Sequence, residues 1–76
     1  MLLTKDKLIE IVKGVVQGID LTVENAFDLP FADIGIDSMD MLQILLKLEQ
    51  NQNYEIPNEE VDDLTTLNSL LLIFNK

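Results

Sequence analysis

Apolar residues recur along this chain with the 3.6-residue period of a helix, and nowhere with the two-residue alternation of a strand. Leu8, Ile11, Val12, Val15 and Ile19 form one stripe and predict a first helix from about Lys5 to Ile19. Thr4 is placed to cap it, Asp6 and Lys13 suit its dipole, and Gly18 marks its last turn. A second helix is expected from Asp37–Ser38 to Gln50 or Asn51. Asn58, followed by Glu59 and Glu60, reads as the cap of a short helix that ends by Asp63. Thr65 or Thr66 then caps a last helix whose Leu67, Leu70, Leu71 and Phe74 fall at i, i+3, i+4 and i+7. The pattern predicts an all-α bundle of three main helices plus one short helix, folded as a single domain over residues 1–76.

Between the first two helices runs DLTVENAFDLPFADIGI, far longer than the usual connection of about 4–6 residues. Leu21, Val23, Phe27, Leu29, Phe31 and Ile34 give it apolar anchors, so it is expected to be ordered. A helical turn is expected around Glu24–Phe27, with Pro30 and Gly35 supplying bends.

The second helix carries two apolar stripes. With successive residues about 100° apart, Met41, Ile44, Leu45 and Leu48 share one side, and Met39, Leu42 and Leu46 lie nearly opposite. One core needs one stripe. The second either packs under the long loop or is exposed as a patch for a partner.

Composition narrows the chemistry. A chain of 76 residues buries only about 60% of its unfolded surface, so its core must be efficient. The apolar share is 47%, which argues against disorder. The sequence has no cysteine, histidine or arginine, which excludes a disulfide scaffold, Cys or His metal sites and a Ser-His-Asp triad. Counted from Asp33, the sixth and twelfth positions are Ser38 and Ile44, so no EF-hand loop is present. The net charge of −9 disfavours nucleic acid and anionic membrane as partners and favours proteins with basic patches. It is unevenly spread: residues 20–63 hold twelve acids and only Lys47, a balance of −11. With no signal-like or membrane-spanning stretch, the expected location is the cytoplasm and the expected state a monomer.

Ser38 stands at the junction of loop and second helix, inside Asp33-Ile34-Gly35-Ile36-Asp37-Ser38-Met39-Asp40. Capping alone would explain an Asp37-Ser38 pair. As a nucleophile Ser38 lacks a histidine base, and its carboxylate neighbours do not activate a hydroxyl. It can instead be an acceptor modified by another enzyme, because a phosphate ester there would meet the N–H groups of a helix N-terminus.

The run from Phe31 to Asp40 resembles the attachment motif of acyl carrier proteins. Tyr54-Glu55-Ile56-Pro57 and Thr65-Thr66 match that family downstream, so the resemblance covers nearly the whole chain. It implies an acyl-carrier-type bundle and a protein that is not an enzyme. In such a protein 4′-phosphopantetheine from coenzyme A is attached to Ser38, with Asp37 beside it, by a phosphopantetheinyl transferase. It also implies that Asp37, Met39, Asp40, Leu42, Leu46 and Glu49 form a docking surface for acyltransferase, ketosynthase and other synthase enzymes with basic patches. Against the members of that family that serve primary fatty acid synthesis, Gln43, Lys47, Gln50 and Asn51 dilute the acid of the second helix, which points to a discrete carrier holding acyl intermediates as thioesters in a specialised pathway of polyketide or fatty-acid-like type. The alternatives are a carrier of aminoacyl or aryl groups and a small acidic interaction domain without a prosthetic group.

Overall fold

Thr4 starts the first helix as expected. In the computed structural model, which describes residues 3–75, its Oγ1 accepts from the Lys7 N–H at 3.1 Å and α1 spans Lys5–Val15. Met1, Leu2 and Lys76, whose charge closes the sequence total, lie outside the described residues. The helix stops four residues short of Ile19. Val16 is already extended and Gly18 has φ +78°, a left-handed conformation that a helix cannot incorporate. Ile19 still packs against the core, but from the loop.

The long loop is ordered by attachments to both of its neighbours. Its turn at Asp20 is closed by the Thr22 hydroxyl and N–H, both donating to the Asp20 carboxylate. A 3-10 turn follows at Ala26–Asp28 rather than at Glu24–Phe27, because Asn25 is left-handed (φ +62°) and the turn can begin only after it. Ala26 is buried there, the Lys5 ammonium sits 5.2 Å above the Phe27 ring, and Asn68 donates to the Asp28 carboxylate. A second 3-10 turn, Phe31–Ile34, was not foreseen from sequence; the Phe31 N–H donates to the Thr65 carbonyl at 3.0 Å. Val23, expected as an anchor, is exposed, since its carbonyl accepts from Ala26 while its side chain points outward.

The helix α2 runs Ser38–Gln52 and ends where Asn53 turns left-handed. In α3, Asn58–Val61, the cap is Pro57 and not Asn58: the Pro57 carbonyl accepts the first-turn bond from Glu60, which places Asn58 inside the helix. The last helix, α4, spans Leu67–Phe74. Of the two candidate threonines, Thr66 caps it. Its Oγ1 accepts from the Ser69 N–H at 3.1 Å, and its own N–H donates to Ser69 Oγ at 3.2 Å. Ile73 is buried where Leu71 was expected, and Leu71 is only half-buried.

All four helices and the loop contribute to one core, which includes Leu8 and Val12, Ile36, Ile44, Leu45 and Leu48, Ile56 and Leu64, and Leu67, Leu70, Ile73 and Phe74. Among the described residues no polar or charged residue is buried with it.

Two predictions follow from this packing. Thr66→Ala should cost about 1 kcal/mol, read as a lower urea midpoint at unchanged slope, while Thr65→Ala should leave the midpoint in place. The second concerns Asp20, whose carboxyl the Thr22 hydroxyl, and then the Thr22 N–H, hold below the usual aspartate range. A lowered folded pKa means that this turn adds stability above the unfolded aspartate pKa and loses it as pH falls through the folded value. Thr22→Val should therefore raise the Asp20 pKa, measured by an NMR pH titration of its carboxyl carbon.

Candidate functional site

Three consecutive residues at the entry to α2 point in three directions. The 3-10 turn Phe31–Ile34 closes on Gly35, whose φ of +85° reverses the chain. The Ile36 N–H then donates to the Phe31 carbonyl at 2.9 Å, and its side chain enters the core with 2% of its surface left exposed. Asp37 is extended, and its Oδ1 accepts from the Asp40 N–H at 2.8 Å, capping α2. Ser38, the first helical residue, is exposed.

Beside Ser38 lies an open cleft of about 430 Å³. Phe31, Ala32 and Ile36 line it from the loop, Met41 from α2, and Val61, Asp62 and Leu64 from the region of α3. Its charged lining is Asp37 and Asp62, with no cation. Anions next to a hydroxyl disfavour the alkoxide, so the arrangement does not make Ser38 a nucleophile in its own right. It does suit a hydroxyl presented to another enzyme. The side chain is accessible, the start of a helix favours a phosphodiester at that oxygen, and the adjoining cleft has the volume of a small-molecule site. The residues present therefore fit a 4′-phosphopantetheine arm.

The second stripe of α2 is on the surface. Met39 is 71% exposed, Leu42 56% and Leu46 51%, whereas Ile44, Leu45 and Leu48 are buried and Met41 is half-buried. Asp37 stands exposed at the end of this stripe. The other two acids grouped with it differ. Asp40 is half-buried, and the half-buried Glu49 turns its carboxylate inward to accept the Ile56 N–H at 2.8 Å. Glu49 thus pins the connection between α2 and α3.

Along the stripe runs a groove of about 690 Å³ between Leu42, Leu45 and Leu46 of α2 and Ile56, Pro57 and Val61 around α3. Sequence reasoning missed Val61 and Asp62, which line both this groove and the cleft at Ser38. The available signal was Val61 itself, the single apolar residue in Asn58-Glu59-Glu60-Val61-Asp62-Asp63. Among the described residues no acid cluster could hold a metal ion, and no helix is long and apolar enough to cross a membrane.

A family model described as a phosphopantetheine attachment site matches residues 6–72. The chain resembles the solution structure of octanoyl acyl carrier protein from the actinorhodin polyketide synthase of Streptomyces coelicolor, with 32% identity and a TM-score of 0.85 over 99% of this chain and 90% of that one. The 5-phenyl-3-oxo-pentyl form of the actinorhodin carrier from the same organism gives 27% identity and 0.86 over the same shares. Its butyryl form gives 31% identity and 0.76 over 97% of this chain and 90% of that one.

The two stripes of α2 should respond differently to substitution. Leu46→Glu, on the exposed stripe, should move the thermal midpoint by less than about 4 °C. Ile44→Ala, on the buried one, should cost about 2–5 kcal/mol. Loss of the cooperative transition in Leu46→Glu would place that stripe in the core.

Proposed function

Because this chain belongs to the acyl carrier protein family, whose members bear a phosphopantetheine attachment site, we propose that Ser38 is its attachment residue. A carrier of this family is not an enzyme, and its prosthetic group is phosphopantetheine. When attached, that group supplies a terminal thiol that holds acyl chains as thioesters. The chain's own residues present and position it. Ile36 fixes the backbone, Asp37 caps the helix and fixes the direction in which Ser38 leaves it, and the first turn of α2 would stabilise the charge of a phosphodiester on Ser38.

The observation that carries this reading is an exposed serine at the capped start of α2, between a buried isoleucine and an exposed methionine, within the matched region. Synthase enzymes are the partners of such a carrier. In our reading they dock on Asp37, Met39, Leu42 and Leu46, with Asp40 at the rim and Glu49 lining the groove while its carboxylate holds the connection to α3. A phosphopantetheinyl transferase meets the same surface first. The likeness to the actinorhodin carriers supports acyl rather than aminoacyl cargo and a polyketide-type pathway. We read the protein as a monomeric carrier of the cytoplasm, kept apart from its own copies by a net charge of −9.

Intact mass spectrometry tests the assignment. Incubated with coenzyme A and a broad-specificity phosphopantetheinyl transferase, the wild type should gain one phosphopantetheinyl mass and Ser38→Ala none. An unchanged wild-type mass, or the same gain in Ser38→Ala, would sink it.

A further inference from the structure

The most exposed large apolar residue among those described is Leu72 of α4, at 72%, and the docking surface on α2 leaves it without a role. It borders an open groove of about 190 Å³. Leu64 and Ile73, both nearly buried, form the floor, and Glu60, Asp63 and Ser69 complete the lining. No residue of α2 takes part.

The lining limits what can sit there. Small-molecule pockets run about 300–1,000 Å³, so this groove holds a side chain rather than a ligand of that class. The Ser69 hydroxyl is already engaged with Thr66 in the cap of α4, which leaves apolar surface and the Asp63 carboxylate as the exposed chemistry. An apolar floor with an acidic rim and no cation is complementary to an apolar side chain flanked by a lysine or arginine. A second copy of this chain, carrying −9 itself, is a poor source of such a segment.

We infer that the groove between α3 and α4 is a second docking site, for a basic and apolar segment of a partner protein. That the partner is a synthase component rests on the carrier reading above. The short α3 divides the two surfaces: Val61 and Asp62 face the groove and cleft on the α2 side, and Glu60 and Asp63 face α4. A partner held at Leu72 leaves Ser38 and the Met39, Leu42 and Leu46 stripe open, so one protein can hold the carrier while another works on its cargo. Leu64 lines both the cleft at Ser38 and the groove at Leu72, which puts the two sites in contact through one side chain.

The test is an NMR titration of the 15N-labelled full chain with a capped peptide, Gly-Lys-Leu-Lys-Gly, and with Gly-Lys-Gly-Lys-Gly as the charge-only control. The leucine peptide should shift the amides of Leu64, Ser69, Leu72 and Ile73, and the control should not. Leu72→Gln should weaken binding about tenfold, as expected for the loss of one buried leucine contact. Asp63→Asn should weaken it in a second, independently folded variant. Shifts centred on Met39, Leu42 and Leu46, or equal affinity in wild type and both variants, would overturn the proposal. The titration does not depend on Ser38 being loaded, so its failure is distinct from a failure of the carrier reading, which the mass measurement registers.

Discussion

The burial of Ile36 is the constraint on which the rest of this structure depends. One side chain in the core, one residue before α2, fixes where the long loop ends and which way the helix begins. Gly35 makes the approach possible, Asp37 converts the arrival into a helix, and Ser38, on the first turn of that helix, is left exposed. Had the loop been free, a serine at a helix start would be one capping residue among many. Held at Ile36 and again at the Phe31–Thr65 bond, the loop is a rigid mount for one hydroxyl.

Much of this was legible in the sequence, for reasons that can be named. The capping residues Thr4 and Asp37 read correctly because a cap is a local event, decided within one turn. The two stripes of α2 read correctly because periodicity reports faces. What it could not report was which face the remaining elements would cover. The first helix was read four residues too long because Ile19 keeps the apolar register after the backbone has left the helix at Val16. The role of Glu49 was hidden for a different reason. Its partner is a backbone N–H seven residues on, and no pattern of side chains announces a contact to a backbone group across a turn. Val61 was overlooked because the acids around it dominate a four-residue helix.

Charge and core divide the labour cleanly. With no polar or charged residue in the core of the described chain, its interior rests on apolar burial, and the carboxylates lie outside it, several of them holding caps and turns. The −11 of residues 20–63 is arranged around apolar surface: Asp37 beside Met39, Asp62 beside Val61, Asp63 in the groove bordered by Leu72. Acid beside exposed leucine or methionine is complementary to a surface that is both basic and apolar.

The two ends of the described chain meet on one side chain. The Asn75 amide accepts from the Leu3 N–H at 2.7 Å and donates to the Leu3 carbonyl at 2.9 Å, a pairing of the kind two strands would make. Mechanically, this places both ends at a single point of attachment. A pull applied between them is borne by one amide together with the core packing of Leu3, which is itself buried. Residues 3 to 75 are thereby a nearly closed ring in their connectivity, although no backbone bond closes it.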